Sequence, residues 1–220
     1  MNIKAIIFDL DGTLIDSIPD IADAANQLMV NHNYPIHDTS SYVKWIGHGA
    51  LKLLKRAVPD NIDDAYLKKL LSEYLEIHTG NCTNKTSLYP GINKILDYLN
   101  EQNISISILT NKPHALTLKV FEHYLKKWKF DFVLGQMQDY PKKPDPGRAF
   151  EIADKLKCQT QEMMFVGDSD TDMKTGTAAG MIPLGVTWGY GTESSILGAG
   201  AKYLMNNTKE LLEFIKLRNP

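Results

Sequence analysis

The 220-residue sequence predicts an α/β fold, in which helices cover both faces of a parallel sheet and a helical segment is inserted near its start. Three observations support this prediction. Short apolar runs alternate with amphipathic helical patterns, an order that is typical of parallel sheets. Residues 17–85 break the alternation, because they show helical patterns and no convincing strand. Polar or charged residues follow four of the five predicted strands, where ligands of such sheets bind.

The composition fits a folded protein, since 43% of the residues are hydrophobic. A net charge of −2 gives no support for nucleic-acid binding. Cys82 and Cys158 show no metal-ligand spacing and indicate a reducing compartment. The first apolar run is too short for a signal peptide, and no stretch approaches the roughly 18 apolar residues of a membrane span. We therefore expect a cytoplasmic protein that binds neither nucleic acid nor a membrane.

Apolar runs and stripes locate the elements of the sheet region. The five predicted strands are Ile3–Phe8, Ile104–Leu109, Phe130–Leu134, Met163–Gly167 and Ile182–Val186. Two apolar stripes at helical spacing lie between the later strands, one formed by Ile92, Ile95, Leu96 and Leu99 and one by Leu118, Phe121 and Leu125. Such strand–helix alternation predicts that all five strands belong to one sheet.

The segment from residue 17 to about residue 85 carries two amphipathic helical faces, one centred on Ala24–Leu28 and one on Leu67–Leu75. A loop with Gly47, His48 and Gly49 lies between them. We predict that residues 17–85 form a helical cap and that residues 1–16 and 86–220 form the core. The alternative is an N-terminal helical half that packs into the main core.

The end of the first strand carries Asp9 and Asp11, two residues apart and therefore on the same side of the backbone. Gly12 allows a sharp turn after them. Side-by-side carboxylates repel, so the pair makes sense if a cation lies between them or if one acid attacks while the other moves a proton. The alternative is an exposed, Asp-rich turn.

Two further strand ends carry groups that could hold an anion. Thr110 and Asn111 can hydrogen-bond a phosphate oxygen, although an ordinary helix cap fits them equally well. Lys142 and Lys143 precede Pro144, and a fixed ammonium can neutralise an attacking carboxylate and a phosphoryl oxygen together. We choose Lys143 because it adjoins the rigid proline; the alternative is a solvated loop.

The fourth strand is followed by Asp168, Asp170 and Asp172, which suit Mg²⁺ because they offer hard oxygen ligands without His or Cys. An EF-hand is excluded, since the loop lacks its glycine and its final glutamate. A purely structural acidic turn is the alternative. The histidines, among them His78, show no zinc spacing, and we expect them on the surface or in helix packing.

In this order, the motifs resemble those of the haloacid dehalogenase-like superfamily of phosphohydrolases. Residues 9–17 match its first motif, Thr110 the second, Lys143 the third, and Gly167-Asp168 with Asp172 the fourth. The resemblance implies a Rossmann-like core with a small α-helical cap inserted after the first strand. Residues 45–50, 165–169 and 185–191 resemble the phosphoglycolate phosphatase branch more narrowly.

The resemblance implies a mechanism. Asp9 would attack phosphorus and form an aspartyl-phosphate, and Asp11 would protonate the leaving alcohol and then deprotonate the attacking water. Mg²⁺ would be held by Asp9, the Asp11 carbonyl and Asp168. The remaining roles are phosphoryl binding by Thr110, Asn111 and Lys143, support of the metal shell by Asp172, turn stabilisation by Thr13, and a substrate-facing cap loop at Gly47 and His48.

The sequence therefore predicts a Mg²⁺-dependent phosphatase of a small phosphorylated metabolite, with 2-phosphoglycolate as the first choice of substrate. The alternatives are a phosphosugar mutase of the β-phosphoglucomutase type, a pyrophosphatase or a nucleotidase. A haloacid dehalogenase fits less well, because it needs neither Mg²⁺ nor Asp11. A receiver-like phospho-acceptor is the non-enzyme alternative, although receivers are about half as long and lack a cap. The oligomeric state is left open.

Overall fold

The computed structural model describes residues 3–218 and confirms the α/β fold. A parallel sheet holds six strands in the order β5-β4-β1-β6-β7-β8. Its strands are β1 (Ala5–Phe8), β4 (Ser105–Pro113), β5 (Phe132–Gln136), β6 (Met163–Gly167), β7 (Ile182–Val186) and β8 (Tyr203–Met205). A separate antiparallel pair consists of β2 (Ile15–Asp16) and β3 (Ser87–Leu88).

The helices fall into two groups by their place in the chain. Those between β2 and β3 are α1 (Ile18–Asn31), α2 (Thr39–Trp45), α3 (Ala50–Ala57) and α4 (Asp64–Asn81). Those that accompany the sheet are α5 (Ile92–Glu101), α6 (His114–Tyr124), α7 (Gly147–Leu156), α8 (Asp170–Ala178), α9 (Glu193–Gly198) and α10 (Thr208–Arg218). Within residues 3–218, none of the helices is both apolar and long enough to cross a membrane.

Each predicted strand is present, with shifts at some ends. The strands at 163–167 and 182–186 have the predicted bounds, whereas β5 begins two residues later than predicted. Strand β4 continues past Leu109 to Pro113 with a change of register toward β5. This extension places Thr110, Asn111 and Lys112 within the strand rather than in the turn that follows it.

The stripe predicted for α6 is partly wrong. Leu118 is exposed, and the helix instead buries Leu116, Thr117 and Val120 against the core. Leu125 is buried as predicted, but it lies just past the end of the helix. The helix is therefore rotated relative to the prediction, because its buried face begins at Leu116.

Helices α1 to α4 pack on a hydrophobic cluster of their own, which includes Leu28, Met29, Tyr42, Leu54 and Leu70. The chain enters and leaves this helical segment side by side, through the β2–β3 pair. The division into a core and a cap at residues 16 and 86 stays a prediction.

A buried carboxylate links the two ends of the helical segment. Asp20 of α1 accepts hydrogen bonds from the N–H groups of Lys85 and Thr86 and from the Thr86 hydroxyl, at 2.7 to 3.1 Å. Asp20 is fully buried, so these donors replace the water that the charge would otherwise require. The start of the helical segment and its return to the sheet are therefore held together.

Candidate active site

The candidate site lies where β1 and β6 end side by side at the centre of the sheet. Asp9 follows β1 directly, and its N–H donates to the Val166 carbonyl at 2.9 Å. Asp168 follows β6. The chain builds the sheet outward from β1 on one side and from β6 on the other. Ligands of open α/β sheets bind at such a reversal of strand order, beyond the carboxyl ends of the strands.

Three buried carboxylates meet at this point. One oxygen each of Asp9, Asp168 and Asp172 lies within 4.8 Å of the others. Burial raises the pKa of Asp9 to about 6, with the charge of Lys143 acting in the opposite direction. Burial, together with the charges of Asp172 and Asp9, raises the pKa of Asp168 to about 8. With Asp9 and Asp168 both ionised, the cluster therefore needs more positive charge than a single lysine supplies.

This cluster fits a hard divalent cation. Asp9 Oδ1 is buried and has no hydrogen-bond donor within residues 3–218. Carboxylate oxygens are the ligands that Mg²⁺ prefers, and a metal ion would give this oxygen a ligand bond and reduce the repulsion between the acids. The donor set supports the predicted magnesium site at Asp9 and Asp168.

Lys143 is the buried member of its lysine pair, as predicted, whereas Lys142 is exposed. The Nζ of Lys143 donates a hydrogen bond to Asp172 Oδ1 at 2.6 Å. It also lies 2.9 Å from Asp9 Oδ1, but without hydrogen-bond alignment. Burial lowers the pKa of Lys143, but the charges of Asp172 and Asp9 outweigh burial and raise that pKa above its usual value. Lys143 is therefore a fixed cation beside Asp9.

Asp172 fixes the position of the Lys143 ammonium. It is fully buried, and its Oδ2 accepts hydrogen bonds from the N–H of Ser169 at 3.0 Å and from the Ser169 hydroxyl at 2.6 Å. These bonds belong to the capping box at the start of α8. With Oδ2 used in the cap and Oδ1 used on Lys143, the geometry favours a supporting role for Asp172.

Asp168 is fixed by two loops. Thr13 Oγ1 donates to Asp168 Oδ1 at 3.0 Å, and the Tyr190 N–H donates to Oδ2 at 2.8 Å. Gly12 has a positive φ of 86°, and a Cβ there would lie 2.3 Å from Asp168 Oδ2. Thr13 was predicted only to stabilise the turn, but the structure also gives it direct contact with a candidate metal ligand. The turn after β1 thus needs Gly12 to approach Asp168.

Asp11 has two hydrogen-bond partners that were not predicted from the sequence, Lys112 and Ser17. Lys112 Nζ donates to Asp11 Oδ1 at 2.9 Å and to Oδ2 at 3.2 Å, and the Ser17 hydroxyl donates to Oδ1 at 2.6 Å. The Lys112 side chain is only 3% exposed. Lys112 directly follows Thr110 and Asn111 in the sequence, but the extension of β4 that turns its side chain inward had no sequence signal.

Thr110 and Asn111 lie at the same edge. Thr110 lines the cavity that opens beside Asp9 and Asp168, and its Oγ1 accepts a hydrogen bond from the Lys112 N–H at 3.3 Å. The Asn111 amide exchanges hydrogen bonds with the Lys143 backbone at 2.9 and 3.1 Å and donates to the Gly47 carbonyl at 3.2 Å. Asn111 therefore positions the Lys143 loop and contacts the helical segment, and a phosphoryl contact from its side chain stays a prediction.

A cavity of about 450 Å³ opens between the carboxylates and helices α1 to α4. Its wall includes Asp9, Asp11 and Asp168 on the sheet side and Gly47 and Gly49 on the helical side, but not His48. Substrate contact by His48 therefore stays a prediction. Tyr74 and His78 of α4 also line the cavity. His78 was expected on the surface or in helix packing; it is a buried residue of α4 beside Tyr74, and it also lines the cavity.

Comparisons with known proteins agree with this geometry. Residues 6–186 match the family model of haloacid dehalogenase-like hydrolases. A phosphoglycolate phosphatase of Aliivibrio fischeri is 32% identical over 222 residues, which cover 98% of each chain. One of Pseudomonas syringae is 30% identical over 213 residues, or 95% of this chain and 78% of the relative.

Similarity extends to solved structures. A crystal structure from Haemophilus somnus, described as a predicted phosphoglycolate phosphatase, aligns with a TM-score of 0.90 and 27% identity. The alignment covers 97% of this chain and 98% of the other. The whole described fold, including the helical segment, therefore has a counterpart of the same shape.

Proposed function

The chain belongs to the haloacid dehalogenase-like hydrolases, as a phosphatase of that family, and we propose that it hydrolyses 2-phosphoglycolate with Mg²⁺ through an aspartyl-phosphate on Asp9. One observation carries the mechanism: Asp9 lies beside a buried lysine and a buried acid cluster, with Asp11 two residues away. A nucleophile, a cation, candidate metal ligands and a proton-transfer group therefore share one edge of the sheet.

Asp9 and Asp168 would hold the metal ion, with the main-chain carbonyl of Asp11 as the third protein ligand. When bound, Mg²⁺ supplies positive charge that offsets the repulsion between the Asp9 carboxylate and an anionic phosphate ester. Thr13 and the Tyr190 N–H keep Asp168 in place, as their hydrogen bonds of 3.0 and 2.8 Å indicate.

In the first step, a carboxylate oxygen of Asp9 bonds to phosphorus while the bond from phosphorus to the alcohol oxygen breaks. Asp11, in its protonated form, gives its proton to the departing oxygen. Lys143 and Thr110 face the phosphoryl oxygens and stabilise their charge. In the second step, Asp11 takes a proton from water, whose oxygen attacks phosphorus and releases phosphate and free Asp9.

The helical segment acts as the cap in this proposal. The Asn111 side chain joins the sheet to the helical segment through a hydrogen bond of 3.2 Å to the Gly47 carbonyl. Closure of the segment over the carboxylates would remove water from the cavity and strengthen the electrostatic interactions within it. The phosphoglycolate phosphatases that resemble this chain support the choice of 2-phosphoglycolate as the substrate.

The test is phosphate release from 2-phosphoglycolate, pyrophosphate, hexose phosphates and nucleoside monophosphates, with and without Mg²⁺. We expect Mg²⁺-dependent release with a preference for 2-phosphoglycolate. Asp9→Asn should lower the rate by at least about 10³-fold, since the substituted amide is a poor nucleophile.

Other results would contradict different parts of the proposal. Preference for another ester would contradict the substrate and leave the mechanism standing. Isomerised hexose phosphate without free phosphate would support the mutase alternative. Full activity of Asp9→Asn would overturn the assignment of the nucleophile.

A further inference from the structure

The cavity extends beyond the groups that would hold a phosphoryl group. Its volume of about 450 Å³ lies within the range of small-molecule sites. Apart from the acids at the sheet edge, its wall carries two lysines, the exposed Lys44 and the buried Lys112. Lys112 is therefore the buried positive charge in the part of the site that would face the leaving alcohol.

Lys112 has donor capacity left for a ligand. Within residues 3–218, the hydrogen bonds of its ammonium both go to Asp11, at 2.9 and 3.2 Å. An ammonium has three N–H donors, and Lys112 lies in the wall of the cavity. One donor can thus reach a substrate group without loss of the contact with Asp11.

His78 offers a second polar atom in the same wall. The residue is 2% exposed, and its Nε2 has no hydrogen-bond partner among the described residues. Its Nδ1 lies 3.1 Å from the Tyr74 hydroxyl. Burial and the charge of Lys112 lower the pKa of His78 to about 2, so the ring is neutral. When Tyr74 donates to Nδ1, Nε2 carries the hydrogen and can donate it to an anion.

Resting on the function proposed above, we propose that Lys112 and His78 form a subsite for a second anionic group of the substrate, a carboxylate one carbon from the ester oxygen. Two buried polar atoms in one cavity wall, a lysine ammonium and an unpaired imidazole nitrogen, define it. Lys112 is the buried lysine in the cavity wall, and its charge favours an anion there when Asp11 carries the proton that it gives to the departing oxygen.

The contact between Lys112 and Asp11 limits the distance between the subsite and the ester oxygen. Asp11 would face the ester oxygen, and Lys112 Nζ lies within 3.2 Å of both of its carboxylate oxygens. A carboxylate that can contact Lys112 at the same time must therefore lie close to the ester oxygen. An α-carboxylate meets this condition, whereas an anionic group at the far end of a long substrate does not.

The experiment compares 2-phosphoglycolate with ethyl phosphate, in which a methyl group replaces the carboxylate. We would measure kcat/KM for both esters with the wild type, Lys112→Met, His78→Phe and the surface control Lys126→Met. Loss of a hydrogen bond to a charged group predicts that the preference for 2-phosphoglycolate falls about 10- to 100-fold in Lys112→Met and His78→Phe. The control should keep the wild-type preference.

The ratio of the two substrates is the informative readout, because Lys112→Met also removes a partner of Asp11. His78 has no hydrogen bond to Asp11, so the ratio measured with His78→Phe separates loss of the subsite from loss of the contact with Asp11. Binding of both esters to Asp9→Asn, with and without the subsite substitutions, should show the same loss of preference in Kd.

Two results would overturn the subsite: an unchanged ratio in both variants, or a wild type that hydrolyses ethyl phosphate as well as 2-phosphoglycolate. Failure of the proposed function would give a different experimental result. In that case the wild type would show no Mg²⁺-dependent hydrolysis of any ester, whatever residue stands at position 112 or 78.

Discussion

The site depends on how its buried charged side chains are paired. Lys143 lies between Asp9 and Asp172, and Lys112 forms an ion pair with Asp11. The five side chains of these two groups are at most 12% exposed. Removing one partner of a buried pair leaves an uncompensated charge, which costs more than the pair contributed to stability.

Lys143→Met tests this pairing. Without the ammonium, Asp9 and Asp172 would be buried with no cation, and we expect the free energy of unfolding in Mg²⁺-free buffer to fall by about 3 kcal/mol. Adding Asp172→Asn should restore part of the loss, because it removes one of the two charges. Urea unfolding measures both effects. The matched control is Lys142→Met, an exposed neighbour that should change stability by less than about 0.5 kcal/mol; equal effects at 142 and 143 would contradict the pairing.

The sequence identified one of these lysines and missed the other. Pro144 distinguished Lys143 from Lys142, because a proline restricts the residue before it. Lys112 and His78 had no such signal. The direction of Lys112 depends on the extension of β4 beyond Leu109, and that of His78 depends on how α4 packs over the sheet edge. Both are tertiary effects, so neither residue type nor spacing could assign them.

At the element scale, one side chain joins the loop after β7 to the first helix of the helical segment. The Tyr190 hydroxyl accepts hydrogen bonds from the N–H groups of Ser17 at 2.8 Å and Ile18 at 3.1 Å, and donates to Asp16 at 3.0 Å. Ser17 makes no side-chain cap, because its hydroxyl donates to Asp11 instead. Tyr190 thus replaces the missing cap of α1, while its own N–H holds Asp168.

Tyr190→Phe should therefore loosen the start of α1. Two backbone N–H groups lose a buried acceptor, and we expect the free energy of unfolding to fall by about 1 to 3 kcal/mol. Hydrogen exchange at residues 16–20 should become faster, while the strands of the sheet keep their protection. Tyr140→Phe, at a tyrosine whose side chain is exposed, is the control and should alter neither quantity. Faster exchange across the whole sheet would point to general destabilisation instead.

The elements themselves were largely readable from the sequence. Runs of buried residues such as those of β6 and β7 are continuous and apolar, which is why their bounds were predicted correctly. The missed strands are short: β8 has three residues, and β2 and β3 have two each. Strands of this length carry no detectable period, and their pairing is decided by the chain on either side.

At the scale of the whole molecule, the order of strands creates the site. Asp9 is separated from Asp168 and Asp172 by more than 150 residues of sequence, and the three meet because β1 and β6 are neighbours in the sheet. The alternation of strands and helices predicted a shared edge, but not which strands would be adjacent. The folded chain therefore brings together acids that repel one another, and the stability of the metal-free protein should depend on their protonation.

The sign of that dependence follows from the raised pKa values. Unfolded aspartates ionise near pH 4, whereas the pKa of Asp9 is about 6 and that of Asp168 about 8 in the folded chain. Between these values the folded protein holds more protons, so its stability falls as the pH rises from about 4 to about 8. Mg²⁺ needs the ionised carboxylates and should stabilise the protein most at the upper end of this range.

Thermal melting with and without Mg²⁺ at pH 5.5 and pH 8 measures this coupling. At a concentration 100 times its Kd, Mg²⁺ should raise Tm by about 5 to 10 °C at pH 8. At pH 5.5 the shift should be much smaller, because protons compete for the same oxygens. Asp168→Asn should abolish the Mg²⁺ shift at both values and flatten the fall in stability with pH. An equal or larger shift at pH 5.5 would show that Mg²⁺ binds elsewhere, and the acid cluster would then have no role as the metal site.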